Sequence, residues 1–173
     1  MTMTFTNEAA SAQLNKPVLK EGSKGDAVKE LQKLLLKWGA FVSLDNNGAC
    51  VFPGEEVIDG VFGPKTKNAV IFFQGKVFLV QDGIVADKTW RALFKNAPVD
   101  MPILKKDSKG ELVKKVQERL EIGDYYNGKI DGDFGNSTEK AVKALQKHTG
   151  LPVDGVIGDR TWFEVSQINT IFC

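Results

Sequence analysis

The side chains able to do covalent or acid–base chemistry are few and scattered. The chain of 173 residues has one histidine, His148, and two cysteines, Cys50 and Cys173. Hydrolytic zinc sites generally draw on several imidazoles, so a zinc centre here would need one histidine plus carboxylates or thiols. A Cys50–His148 nucleophilic dyad would pair two distant stretches of sequence. Carboxylates are plentiful, with Asp plus Glu totalling 22, and composition leaves a pair acting on a glycosidic bond open. No Gly-rich phosphate loop is present. The expectation is a chain that is not an enzyme and needs neither metal nor cofactor. Its polar residues are then candidates for binding.

The sharpest local signal is an Asp-Gly-x-Phe-Gly turn, at Asp59–Gly63 and again at Asp131–Gly135. Asp59 and Asp131 could line a ligand groove. The structural reading is favoured: the glycines permit a tight reversal, the aspartate bonds nearby backbone N–H groups, and Phe62 and Phe134 fill the core. Thr66 and Thr138 follow at a helix start, where free N–H groups suit a carboxylate or carbonyl, or are simply capped. Gln74 and Gln146, like Gln32 and Gln117, are helix amides that would bond a saccharide or the next loop. Tyr125 and Tyr126 are the best exposed aromatics, with Phe41 and Val42 at the matching place in the first half. The candidate ligand-binding set is therefore Asp59, Phe62, Thr66 and Gln74, with Tyr125, Tyr126, Asp131, Phe134, Thr138 and Gln146. Trp90 and Trp162 read as core. The basic run Lys105, Lys106, Lys109, Lys114 and Lys115 reads as a solvated face, blunted by Glu111 and Glu118.

These residues recur because the chain repeats itself. Gly25–Gln32 returns 85 residues on as Gly110–Gln117. Ile58–Gly63 returns 72 residues on as Ile130–Gly135, and the same offset carries Thr66, Ala69-Val70, Gln74, Asp82-Gly83 and Thr89-Trp90 to their partners. The difference means that copy one holds 13 extra residues, assigned to a surface loop at about 44–57, rich in Gly, Asn and Pro.

Each copy reads as three helices. Val28, Leu31, Leu35 and Trp38 fall on one helical face, as do Val113, Val116 and Leu120. Gly39 and Gly123 are expected to end those helices in a left-handed conformation. Pro64 suits the first position of helix two, with Val70, Phe73, Val142 and Leu145 facing inward. Gly150 should end helix two of the second copy, while Phe78 at the matching place should force a different ending. Asp87 and Asp159 are expected N-caps of helix three. The fold class is all-α: a disordered arm at 1–16, one module at 17–97, and a second at 98–173. A linker stiffened by Pro98 and Pro102 joins them.

Bulk properties narrow the partners. A net charge of +1 carries no polyelectrolyte signature, so nucleic acid is not expected. No apolar run is long enough for a membrane span. Residues Met1–Glu8 show no basic or apolar signal region, so the cytoplasm stays open beside export by another route. Two cysteines so far apart make no disulfide framework and read as unrelated thiols.

The order Gly-x-x-Val-x-x-Leu-Gln, then Ile-Asp-Gly-x-Phe-Gly-x-x-Thr-x-x-Ala-Val, then Gln and Asp-Gly-x-x-x-x-x-Thr-Trp resembles the peptidoglycan-binding domain family. The resemblance implies two tandem three-helix modules that bind cell-wall glycan or its stem peptide without turning it over. The expected partners are peptidoglycan and a separate wall-active enzyme, and the expected place is the cell wall, periplasmic or extracellular. A protein-interaction role on the same scaffold is the alternative, and a cell-wall hydrolase component the third reading. Copy one departs from the pattern at the loop, at Phe78, and at Ala86 where copy two has Gly158.

Overall fold

The computed structural model describes residues 14–44, 47 and 49–168. The helices are α1 (Asp26–Lys37), α2 (Pro64–Lys76), α3 (Asp87–Lys95), α4 (Glu111–Ile122), α5 (Asn136–Thr149) and α6 (Asp159–Gln167). The chain divides into two compact units between Asp100 and Met101. The first holds α1–α3 and the second α4–α6. The protein is all-α except in the insertion, where β1 (Ser43–Leu44) pairs antiparallel with β2 (Cys50–Val51) ahead of a 3₁₀ turn at Glu55–Val57.

In the first unit Val28, Leu31, Leu35, Val70, Phe73, Trp90 and Leu93 close over one another, all buried. In the second, α4, α5 and α6 each pack on the other two, burying Val113, Val116, Leu120, Val142, Leu145, Trp162 and Val165. These are the positions spaced three and four apart along each helix, as an amphipathic period requires. Removing such apolar surface from water is the main force holding a small helical unit together. Each of the two fully buried tryptophans also finds a partner for its indole N–H: Trp90 Nε1 donates to the Pro17 carbonyl and Trp162 Nε1 to the Pro102 carbonyl, both at 2.8 Å. Matching isolated bridges, Leu19 with Val85 and Leu104 with Ile157, tie the entry strand of each unit to the turn before its third helix.

Several local expectations need correction. Gly39 does end α1 at φ 62°, but Gly123 caps α4 at φ −84°, and Asp124 takes the left-handed conformation instead, at φ 61°. Phe78 does not force a different ending. It adopts φ 61°, close to the 72° of Gly150, so the first copy keeps the same reversal with a residue that carries a Cβ. Asp87 and Asp159 are the first helical residues rather than caps; Ala86 and Gly158 are the N-caps, with no side-chain cap bond. Acids in the first turn still favour the positive end of the helix dipole, and Asp87 accepts hydrogen bonds from the Leu14 N–H and Arg91 Nε.

The ends of the first unit are better ordered than the sequence suggested. Of the arm expected at 1–16, residues 1–13 lie outside the described residues, while Lys16 binds Glu30 at 2.6 Å and lies over the Trp90 and Phe94 rings. Ala97 and Val99, in the expected linker, are buried, and Arg91 clamps Asp100 through both guanidinium ends. Cys50 is disulfide-bonded, against the reading of unrelated thiols; Cys173 lies outside the described residues.

Candidate functional site

Four glutamines build the same device four times. Gln32 of α1 donates from Nε2 to Asp59 Oδ1 (2.8 Å), to the Val61 carbonyl (3.1 Å) and to Thr66 Oγ1 (3.1 Å), while its Oε1 accepts the Gly60 N–H at 2.9 Å. Gln74 of α2 repeats this with Asp82, Ile84, Thr89 and Gly83. Gln117 of α4 does so with Asp131, Asp133, Thr138 and Gly132. Gln146 of α5 does so with Asp154, Val156, Thr161 and Gly155. In every case a helix amide holds the Asp-Gly turn and the first turn of the next helix. The aspartate also accepts the N–H two residues on, at 2.8–2.9 Å.

The device has a signal in the sequence. An aspartate stands seven residues before a threonine at Asp59, Asp82, Asp131 and Asp154. The pattern therefore repeats within each copy as well as between the two. Each module is thus two successive helix–turn–helix joints, both clamped by the preceding helix. A buried amide with all its hydrogen bonds made fixes these joints in one conformation.

The clamps decide where the candidate residues stand. Phe62 and Phe134 are fully buried, and Thr66, Thr138, Gln74 and Gln146 are buried with their polar atoms engaged. None of these six presents a polar atom to a ligand at the surface. Asp59 and Asp131 are exposed at the turns but spend one oxygen on the clamp. The Gln32 amide and then the Val61 N–H hold the Asp59 carboxyl below its usual 3.8. The Asp133 N–H and then the Gln117 amide do the same for Asp131.

The two tyrosines part company. Tyr126 is buried; its hydroxyl donates to the Lys129 carbonyl at 2.6 Å and accepts from Gln117 at 3.3 Å. Tyr125 is half-buried, its ring edge-on to that of exposed His148 with centroids 6.0 Å apart. The match with the first copy shifts by one. Ala40 and Tyr125 make equivalent backbone bonds to Leu35 and Leu120, so Phe41 corresponds to Tyr126 and is buried like it. The first copy therefore has Ala40 where the second has Tyr125, and Lys76 where it has His148. Among the described residues no three His, Cys, Asp or Glu side chains converge on a metal position. No described helix is long and apolar enough to cross a membrane.

Two small helical modules, each braced by a pair of amide clamps and each offering its own surface, define the class of protein. The family model described as a putative peptidoglycan binding domain matches residues 24–93 and 109–163, one stretch in each copy. The chain belongs to that family, and both copies are peptidoglycan-binding domains. It is 34% identical over 163 residues to a probable N-acetylmuramoyl-L-alanine amidase of Bacillus licheniformis, covering 83% of this chain and 43% of the relative. It is 31% identical to the N-acetylmuramoyl-L-alanine amidase CwlL of the same species, covering 93% and 48%. With the amidase CwlM of Mycobacterium tuberculosis the identity is 32%, covering 83% and 36%. The chain spans less than half the length of these curated relatives.

These relatives overturn the expectation that the chain is not an enzyme. That expectation took the residue inventory of this stretch as a complete account of possible chemistry. Proteins that resemble it over most of its length are named amidases, on chains more than twice as long as the part matched. A missing catalytic constellation among these residues is therefore no argument against hydrolysis.

Proposed function

We propose that the two modules bind peptidoglycan for a cell-wall hydrolase of the amidase class, holding it at the wall while the N-acetylmuramoyl–alanine linkage is cut. The observation that carries this is the family match in both copies, set beside relatives named for that reaction. The cell wall is the corresponding location, and peptidoglycan the partner.

The recognition surface lies outside the clamps, because the clamp side chains are spent on the fold. In the second module the half-buried ring of Tyr125 and the neighbouring His148 offer an aromatic face with polar edges, the combination that holds sugar rings. Asp131 and Asp59, exposed at the turns, supply acceptors for hydroxyl groups. Weak sites of this kind gain from being linked, since a second contact with the same polymer becomes intramolecular.

Sedimentation with purified sacculi tests the reading. The chain should pellet with them, and Tyr125→Ala with His148→Ala should raise the free fraction several-fold without altering the thermal melt. Failure of the unaltered chain to pellet at any concentration tested would remove wall binding. Release of peptide from sacculi by the protein, followed as new free amino groups, tests the amidase assignment.

A further inference from the structure

The insertion that sets the first module apart does more than lengthen a loop. Its 3₁₀ turn packs against α1 and encloses an open groove of about 530 Å³, lined by Lys33, Leu36, Lys37, Glu55 and Ile58. Lys33 and Lys37 are one helical turn apart and exposed on the same face, where residues four apart are neighbours. Glu55 is contributed by the insertion, and half-buried Leu36 and Ile58 supply the apolar lining.

Of the charges nearby, two have ion-pair partners, while exposed Glu56 accepts the Gly54 N–H. Glu30 is held by Lys16, and Lys29 lies 3.9 Å from Asp26. Among the described residues, Lys33, Lys37 and Glu55 enter no ion pair. Lys37 is instead poised over the Trp38 ring, 4.7 Å from its centroid.

We propose that this groove takes a short peptide carrying at least two carboxylates and one amino group, the chemistry of the peptide arm of peptidoglycan. The proposal rests on the wall-binding reading and names which part of the polymer this module contacts. Each lysine pairs with a carboxylate, Glu55 pairs with the ammonium, and the side chains between lie on Leu36 and Ile58. A neutral glycan would leave all three charges unanswered, and a uniform polyanion would meet Glu55. The second module lacks the turn and has Glu118, Glu121 and Ile122 where the first has Lys33, Leu36 and Lys37. Peptide recognition is therefore a property of the first module.

The test uses the whole chain and three probes: intact sacculi, glycan strands stripped of peptide, and a synthetic tetrapeptide with two free carboxylates and one amine. The tetrapeptide should shift the amide signals of α1 in NMR spectra and leave those of α4 in place. Charge reversal by Lys33→Glu with Lys37→Glu should weaken tetrapeptide binding about tenfold or more, since it turns two attractive charge pairs into two repulsive ones. Binding to stripped glycan should be unchanged, and the melt should confirm that the variant folds. Absence of α1 shifts, or equal losses on tetrapeptide and stripped glycan, would overturn the proposal. Sacculus binding by the unaltered chain with no response to the tetrapeptide would overturn it alone. No sacculus binding at all would remove the wall-binding reading and this proposal together.

Discussion

Residue by residue, the two copies agree inside and disagree outside. The clamps of Gln32 and Gln74 are reproduced by those of Gln117 and Gln146 to within about 0.2 Å in their bonds to aspartate. The buried tryptophans and their carbonyl partners also repeat. Away from the clamps little survives: Tyr125 has Ala40 as its counterpart in the first copy, His148 has Lys76, Glu118 has Lys33, and only the first copy has the insertion. Under the proposed wall binding, a scaffold kept twice with two different exteriors carries its recognition in the exterior. The first module carries a charged groove and the second an aromatic face, and these are the two surfaces to which the proposals assign binding.

Breaking a clamp should give the largest effect and show whether the interiors are as alike as their geometry. Gln117→Leu removes the acceptor of the buried Gly132 N–H and a donor shared by Asp131, Asp133 and Thr138. A cost of about 2–4 kcal/mol is expected for unsatisfied groups at such a site. Gln32→Leu should cost less, because Gln117 alone also bonds a tyrosine hydroxyl, that of Tyr126. Urea unfolding followed by circular dichroism measures both. Equal losses would mean that the Tyr126 bond adds nothing.

The fold was legible because burial imposes period on sequence: the faces of α1, α4 and α5 are written in their apolar residues. The site was legible only in part. Thr66, Thr138, Gln74 and Gln146 are polar residues in a repeated motif, and sequence alone does not say whether a polar side chain points at a ligand or at its own backbone. What would have told them apart is the second occurrence of the motif inside each module. An Asp-Gly-Thr pattern present before both later helices of both copies belongs to the joint rather than to one binding face. The groove of the first module was hidden for a different reason. Lys33, Lys37 and Glu55 come together only because the insertion folds back on α1, and no local pattern encodes that return.

A smaller effect separates the helix ends. Gly150 and Phe78 share a left-handed backbone, which costs a residue with a Cβ about 1–2 kcal/mol. Gly150→Ala should therefore destabilise the second module by about 1 kcal/mol, read as a drop in its melting temperature. Phe78→Gly relieves the same strain in the first module but gives up a half-buried ring, so its net change should be well below the cost at Gly150. A loss at Phe78 larger than at Gly150 would show that the ring contributes more than the strain removes.

The smallest effect is in the response to acid, and it bears on both modules alike. The Asp59, Asp131 and Asp154 carboxyls are held below their usual 3.8, the first chiefly by the Gln32 amide, the others chiefly by a backbone N–H. A group whose folded pKa is depressed adds stability that is present above its unfolded value and lost as pH falls through the folded one. The protein should thus hold a level melting temperature from neutral pH down to about 4, then lose stability below it. Asp131→Asn keeps an oxygen to accept the Asp133 N–H but no longer titrates. Its melting temperature should be slightly lower at neutral pH and fall less steeply between about pH 4 and pH 2. Because the turns are exposed, solvent screens these carboxylates and the change of slope should be modest. If Asp131→Asn and Asp59→Asn flatten the profile equally, the two copies respond to acid alike. An effect at one turn only would mean that the other is held by its glutamine whatever the charge on its aspartate.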